Sequence, residues 1–436
     1  MNTARLAAAR VLLSIERGRT TLAAELERER DDIADPRDRA LFMEITAGSL
    51  RWRAELDHCI AFHSRRAVSD LMPEVRATLR SGAYQLMHLD RVPSHAAVSE
   101  SVDVIRALGR PKAAGLVNAV LRKFTGQGAR RSLPRRPERR GTRDSALNYL
   151  SVTLSHPRWL VSRWLDRLGF EQTERWCQFN NSSPAVTVRL IDGAPLPDWT
   201  PARFVPGAFQ LPAGALGRLD PIVRDSLMVQ DEGSQLVAAA AGVQPGDRVL
   251  DLCAAPGGKT IIFSTAAGPK GQVVASDVRP ARVHLLRAMI QRAGLDVPVL
   301  ALDGESGLPF GATFDRVVVD APCSGLGTLR RDPDIKWTRE EAGLPAFAER
   351  QARLLDQATT AVRPGGHLVY ATCSSEPEEN ESVIDAFLTR TPAFRLAAVD
   401  SVDAQLVTAR GFLSTLPPRD ELDAFFAAKL VRSGSA

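Results

Sequence analysis

The chain has 436 residues, enough for roughly two to four domains of about 100 to 200 residues each. A hydrophobic share of 44% and a charged share of 25% are those of an ordinary globular protein, and they exclude a disordered or fibrous chain. The 56 Lys and Arg residues against 51 Asp and Glu leave a net charge of +5, a mild lean toward an anionic partner.

The N-terminal run MNTARLAAARVLLSIERG is cut by Arg10 and lacks the uninterrupted apolar core of a secretory signal. No window approaches the ~18 uncharged apolar residues of a membrane span. No membrane association is expected, and the expected location is the cytoplasm. Cys59, Cys177, Cys253, Cys323 and Cys373 contain no C-x-x-C pair and no histidine at zinc spacing. Neither a disulfide framework nor a metal site is therefore expected.

Residues 1–125 read as successive helices. Ala8, Val11, Leu12 and Ile15 fall at i, i+3, i+4 and i+7, and Val117, Val120, Leu121 and Phe124 repeat the spacing. Pro36, Pro73, Pro93 and Pro111 each precede an amphipathic segment, where a helix start tolerates proline. The expectation is a small all-α domain.

Residues 126–146, GQGARRSLPRRPERRGTRDSA, carry seven arginines and almost nothing apolar. Such a segment cannot bury enough surface to fold alone, so a flexible Arg-rich linker is expected, either a plain tether or a basic arm for phosphates. Residues 147–225 predict a small α+β module, with a helix in HPRWLVSRWLDRLG and a strand in PAVTVRLI.

From 226 to 433 the runs DRVLDLC, GQVVASDV, VPVLALDG, FDRVVVDAP and GGHLVYATC alternate with helix-length segments. Near-continuous Val/Leu strands separated by helices predict a mostly parallel α/β sheet of Rossmann type, covered on both faces. Ligands of such sheets gather at the carboxyl ends of the strands. There stand Asp251 and Cys253, Asp277, Asp303, Asp320 with Cys323, and Cys373. One aspartate after a strand is ordinarily a turn former or helix cap; five such ends together mark a site.

The loop DLCAAPGGKT ends like a triphosphate loop, but Cys253 stands where the first glycine of that pattern must be. Ala254 and Ala255 likewise break the dinucleotide fingerprint. Gly257 and Gly258 permit close backbone approach, and a helix starting there offers N–H groups to a carboxylate. Asp277 follows at a spacing suited to ribose hydroxyls. A ligand with both an adenosine and an amino-acid carboxylate, such as S-adenosylmethionine, fits. Cys323 and Cys373 at neighbouring strand ends suggest covalent chemistry, since a thiolate is a strong nucleophile. The acidic run from Ser375 to Glu381 reads as a capping box and dipole partner for the next helix rather than as a metal site.

The stretches QDEGSQLV (230–237), DLCAAPGGKT (251–260), SDVRPAR (276–282), DAPCSGLGTLRRDPDIKW (320–337), VRPGGHLVYATCS (362–374) and EENE (378–381) resemble the RNA cytosine-C5 methyltransferases, most closely their bacterial Sun/Fmu type. RDRALFMEITAGSLRWRAELD and PSHAAVSESVDVIRALG resemble the NusB-like helical RNA-binding domain of that type. The resemblance implies a multidomain chain: a NusB-like domain, a small α+β RNA-binding module and a class I methyltransferase domain. It also implies 16S ribosomal RNA as partner, the 967-type cytosine as target and S-adenosylmethionine as cofactor, with a monomer expected. Cys253, Ala254, Ala255, Pro256, Gly257, Gly258, Lys259, Asp277, Asp303 and Asp320 are then the donor-binding residues, Asp303 near the adenine amino group. Cys373 is the nucleophile at C6 of the base, Cys323 assists release, Asp320 binds the ring at N3, and Lys259 stands between donor and target. DNA cytosine methyltransferases use the Pro-Cys cysteine instead, which would make Cys323 the attacker. Arg330, Arg331, Lys336 and Trp337 are candidates for RNA contact, against the alternative of a surface turn. The chain departs from the common Asp-Gly-Phe-Phe ending at Asp423-Ala424-Phe425-Phe426. Other readings are a methyltransferase for another rRNA or tRNA cytosine, a donor-binding ribosome-assembly factor without catalysis, and an RNA-stimulated ATPase.

Overall fold

A computed structural model describes residues 4–18, 20–30, 32–126, 128–138, 141–191, 199–212, 214–220, 223–224 and 226–434. The chain divides into two compact units, Met1–Ser183 with Leu329–Glu341, and Pro184–Thr328 with Ala342–Ala436.

The first unit is helical: α1 (Ala4–Glu16), α2 (Leu22–Arg30), α3 (Pro36–Arg51), α4 (Arg53–Ser64), α5 (Pro73–His88), α6 (Ser94–Ala107), α7 (Ala114–Arg122), α8 (Arg143–Asn148) and α9 (Arg158–Asn181). Its starts follow the sequence. Pro36 and Pro73 are the first residues of α3 and α5, Pro93 caps α6, and Pro111 opens a short turn ahead of α7. The Asp35 carboxylate accepts from Arg37 N at 2.6 Å and Asp38 N at 3.4 Å, satisfying N–H groups that a helix start leaves open. The α9 segment changes direction at Gly169, whose φ of 75° suits glycine. Leu56, Ile60, Leu79, Val117 and Leu121 form one buried cluster, and Ala8, Val11, Phe42 and Ile45 another.

The expected linker is pinned where it is described; Gln127, Arg139 and Arg140 lie outside the described residues. Ala129 is buried, Arg130 pairs with Glu55 at 3.3 Å, and Arg136 reaches Glu174 at 2.7 Å and Glu171 at 3.0 Å. Composition predicts a solvated tether because it counts charges and not their partners. The expected 147–225 module also divides differently: α9 belongs to the helical unit, and the strands belong to the other. Residue 225, the expected boundary, lies outside the described residues.

In the second unit, β1 (Val186–Leu190), β2 (Thr200–Pro201), β3 (Ala208–Leu211) and β4 (Leu227–Val229) make a small antiparallel sheet in the order β2-β3-β1-β4. The main sheet comprises β5 (Arg248–Leu252), β6 (Gln272–Asp277), β7 (Val299–Ala301), β8 (Phe314–Asp320), β9 (Val362–Thr372), β10 (Phe394–Ala397), β11 (Leu413–Ser414) and β12 (Phe426–Arg432). Its order is β10-β12-β9-β8-β5-β6-β7, with β11 on β12. β5 to β9 pair in parallel, while β12 runs antiparallel to β9. The longer helices among the described residues are α10 (Glu232–Ala240), α11 (Gly258–Ala267), α12 (Pro280–Arg292), α13 (Leu344–Ala358) and α14 (Glu381–Arg390). Two buried clusters, one around Leu250, Val317, Leu368 and Tyr370 and one around Val249, Phe263, Ala275 and Val318, cover the two faces of the sheet. Strand order reverses between β5 and its neighbours β6 and β8, the place where open α/β sheets present a crevice.

Candidate active site

The loop after β5 carries the strongest local constraints. Cys253 has φ 61°, a left-handed conformation that few non-glycine residues adopt. Ala254 N donates to Ser276 O at 2.8 Å, tying the loop to the end of β6. Gly257 has φ 116°, a conformation that favours glycine, and a Cβ there would also press on the tip of Leu286 at 2.9 Å. Helix α11 then starts at Gly258 with no side chain capping its N-terminus.

Lys259, in the first turn of α11, donates to Asp320 Oδ2 at 2.7 Å. Burial works against its charge, but the carboxylates of Asp320 and Asp251 outweigh that cost and hold the ammonium above its ordinary pKa. Asp251 is fully buried on β5 and accepts from Thr260 Oγ1 at 2.6 Å. Burial pushes its carboxyl up to about 7. The Cys253 thiol is pushed up to about 12, by burial first and then by the neighbouring carboxylates of Asp277, Asp320 and Asp251.

Asp277 and Asp303 end consecutive strand runs yet stand in opposite environments. Asp277 is buried and pairs with Arg282 at 3.2 Å, whose guanidinium also donates to Ala255 O at 2.6 Å. Asp303 is exposed. Both its oxygens are taken up by its own turn, Oδ1 by Glu305 N at 3.0 Å and Oδ2 by Ser306 Oγ at 2.5 Å. Those bonds, the Ser306 hydroxyl first, hold its carboxyl below the usual range.

The two cysteines meet. Strands β8 and β9 are parallel neighbours with Asp320 opposite Ala371, so their ends project Cys323 and Cys373 to the same place. The sulfurs are 3.3 Å apart. The hydrogen bond to Cys373 and burial both push the Cys323 thiol up. Gly327 N donates to Cys373 O at 2.9 Å, and Ala424 N donates to Gly327 O at 2.9 Å. A Cβ at Gly327 would lie 2.1 Å from Ala424 O and 2.7 Å from Cys373 O, so only glycine fits. The departure at Ala424 therefore sits beside this turn and engages it through backbone atoms.

The acidic run after Cys373 is not the expected capping box. Helix α14 begins at Glu381 behind Asn380, and Glu376 and Glu379 are fully buried. Glu379 accepts from Ser324 N at 2.8 Å, Ser324 Oγ, Ser374 Oγ and Gln351 Nε2 at 3.0 Å. Asn380 is bonded by Thr372 Oγ1 at 2.6 Å and donates to Ser374 O at 3.0 Å. Glu379, Gln351 and Asn380 went unforeseen as site residues. Glu379 and Asn380 stood in the EENE stretch at 378–381, but local patterns score carboxylates as exposed.

The candidates for RNA contact belong to the helical unit. Lys336 is 1% exposed in the helical unit, where its ammonium donates to Asn181 Oδ1 at 2.8 Å, Ser155 O at 3.2 Å and Arg51 O at 3.3 Å. The Trp337 indole N–H donates to Leu50 O at 2.6 Å, and the Arg330 guanidinium lies 4.0 Å over the Phe179 ring. The expectation of a surface-exposed Lys336 is thus corrected: three acceptors supplied by α3, α9 and the turn before α9 draw the ammonium inside. Among the described residues no His, Cys, Asp or Glu group could hold a metal ion, and no helix is long and apolar enough to cross a membrane.

A doubly wound sheet with a glycine-bearing loop after its first strand and an acidic residue at the end of the second defines a class I S-adenosylmethionine-dependent methyltransferase. Residues 238–431 match the family described as 16S rRNA methyltransferase RsmB/F, and residues 2–126 match the NusB family. The ribosomal RNA small subunit methyltransferase B of Pseudomonas putida is 34% identical, over 98% of this chain and 98% of that protein. Its counterpart in Salmonella arizonae is 33% identical over 99% of each. Among solved structures, that of PH0851 superposes with a TM-score of 0.79 at 23% identity, covering 99% of each chain. A methyltransferase homolog from Pyrococcus horikoshii gives 0.55 at 23%, covering 67% of this chain and 100% of that one. The chain belongs to the RsmB/F family of 16S rRNA methyltransferases.

The methyl donor of this class is S-adenosylmethionine, and the residues present suit it. Asp251 Oδ1 and Gln230 Oε1 are buried beside the loop and lack a hydrogen-bond partner, and an amino-acid end can satisfy such atoms. Gln230 lies against Gly258, so both orphans flank the uncapped start of α11.

Proposed function

We propose that this protein methylates C5 of a cytosine in 16S ribosomal RNA, the 967-type position, through a covalent bond between Cys373 and C6 of the base. The observation that carries the reading is the 3.3 Å approach of two thiols beside the Lys259–Asp320 pair.

Bound at the β5 and β6 loops, S-adenosylmethionine supplies an electrophilic methyl group. Asp277 serves the ribose hydroxyls, and the backbone from Cys253 to Gly258 serves the amino-acid end. Asp303 is assigned the adenine amino group; because its two oxygens are held in its own turn, its share of the binding is small. C5 of cytosine is a poor nucleophile. Addition of the Cys373 thiolate to C6, with uptake of a proton at N3, turns the ring into an enamine, and the new N3–H donates to the Asp320 carboxylate held by Lys259, which stabilises that adduct. Methyl transfer leaves S-adenosylhomocysteine; solvent water then takes the C5 proton, N3 gives up the proton it gained, and the C6–S bond breaks, restoring the aromatic ring and the Cys373 thiolate. Cys323 keeps its proton by virtue of its hydrogen bond and burial, which suits an acid–base role in that release better than attack. Because the ring is attacked from its face, the target base is splayed out of any stack. The helical unit and the small sheet supply RNA-binding surface, with the protein acting as a monomer on free or early-assembly RNA in the cytoplasm.

Separate replacement of the cysteines tests this. Cys323→Ala accumulates a covalent RNA adduct and Cys373→Ala forms none; the opposite pattern makes Cys323 the nucleophile and sinks the assignment. Mapping 5-methylcytosine in ribosomal RNA with and without the protein tests the target. Lys259→Ala impairs methyl transfer while leaving RNA binding intact.

A further inference from the structure

We infer that Glu379 is a positioning residue that sets the distance between the two thiols; the inference rests on the proposed two-cysteine reaction. Its carboxylate is fully buried and contacts both cysteine turns at once. Ser324 follows Cys323 and gives Glu379 its backbone N–H at 2.8 Å and its hydroxyl. Ser374 follows Cys373 and gives its hydroxyl to the same oxygen that Ser324 Oγ reaches. The two hydroxyl oxygens are consequently 3.2 Å apart, almost the spacing of the two sulfurs one residue earlier.

Gln351 of α13 closes the arrangement. Its amide nitrogen donates to Glu379 Oε1 at 3.0 Å and to Pro322 O at 3.1 Å, fixing the residue before Cys323. The Tyr370 hydroxyl donates to Glu379 O at 2.5 Å, so the backbone of the residue is anchored to β9 as well. All four of these partners of the carboxylate are donors, and a buried acceptor with this many donors is costly to remove because each donor loses its partner. A carboxylate is the one side chain that offers two oxygens with no hydrogen in the way. Glu379 thus joins the two cysteine turns through a single side chain, as a staple would.

The test measures thiol spacing directly. Dibromobimane links two neighbouring thiols, each sulfur displacing one bromide with release of HBr, and it fluoresces when both have reacted. In the full-length protein Glu379→Ala is expected to slow the Cys323–Cys373 link by about tenfold and to lower kcat by about a hundredfold. KM for RNA and the affinity for S-adenosylmethionine stay near their original values, while the melting temperature falls because the buried donors lose their acceptor. Glu379→Gln is expected to recover most of both losses, because Oε1 is retained and the serine hydroxyls can turn to accept from the new amide. A Glu379→Ala protein that links its thiols at the original rate overturns the inference, and so does one in which Gln recovers nothing. Should Glu379→Ala fail to fold, the double replacement Ser324→Ala with Ser374→Ala leaves the carboxylate in place and removes two of its donors; unchanged linking in that protein also overturns the inference. Linking needs neither RNA nor methyl donor. A protein that links its thiols but transfers no methyl therefore defeats the proposed reaction, while a slower link in Glu379→Ala still supports the positioning role.

Discussion

Asp320–Thr328 and Leu329–Glu341 run on from one another in a single motif, and their polar residues have opposite fates. The first stretch stays with the sheet unit and delivers Asp320 and Cys323 to the strand ends, where Lys259 and Cys373 meet them. The second belongs to the helical unit and turns its charge inward. Lys336 has three oxygen acceptors, and Asp334 accepts from Leu22 N at 3.1 Å. The difference teaches that polar residues in a motif can be kept for chemistry or for architecture. What separates the two is whether their partners are already filled by the chain.

The most severe break is expected on the chemical side. Cys373→Ala should reduce methyl transfer to RNA by about 1,000-fold or more, read with labelled donor, because the covalent route is closed. Residual transfer within tenfold of the original would remove the cysteine from the mechanism.

On the architectural side, Lys336→Ala should cost about 3 kcal/mol of stability in chemical denaturation, since three buried oxygens lose their donor. Were the replacement instead neutral for stability and harmful to RNA affinity, Leu329–Glu341 would be a contact surface and the contrast would collapse.

A smaller effect separates the two strand-end aspartates. Asp277→Asn should weaken donor binding by about tenfold in calorimetry, as a hydrogen bond to a charged group is worth about 1.5–3 kcal/mol. Asp303→Asn should change it by no more than about twofold, because an exposed carboxylate occupied by its own turn has little to offer. Equal losses would show that the turn at Asp303 opens to receive the ligand.

A last effect, confined to acid pH, is on stability. His156 is buried in the helical unit, where Nδ1 donates to Leu154 O at 2.6 Å and Nε2 receives the Asn180 amide at 3.2 Å, which is the neutral ring. Burial, and then the charge of Lys336, push it well below its ordinary 6.5. Below that value the unfolded chain binds a proton that the folded one refuses, so the stability His156 contributes is complete above pH 6.5 and falls on acidification by up to about 1.4 kcal/mol per unit. His156→Gln should flatten that slope in denaturation curves recorded across the range. A slope that persists unchanged would assign it to other groups.

How far the sequence reaches can be judged from particular residues. The runs at β5 to β9 announced themselves through unbroken Val and Leu, because a parallel sheet buried on both faces leaves no room for alternation. The loop from Cys253 to Lys259 was equally plain, since a turn with positive φ at Gly257 favours glycine there. The antiparallel β12 and β10 at the edge were not foreseen. Their chain order follows from returning strands that no local period encodes.

By itself the sequence determined the class of fold, the place of the site at the strand ends and the two cysteines that mark its chemistry. These follow from short-range rules: periodicity, glycine geometry and the reactivity of residue types. Only the tertiary structure decided that Glu379 is buried between the cysteine turns, that Asp277 is paired while Asp303 caps itself, and that Lys336 lies inside. The physical reason is the same in each case. A charged side chain is buried when enough donors or acceptors converge on it, and those partners come from segments distant in the chain.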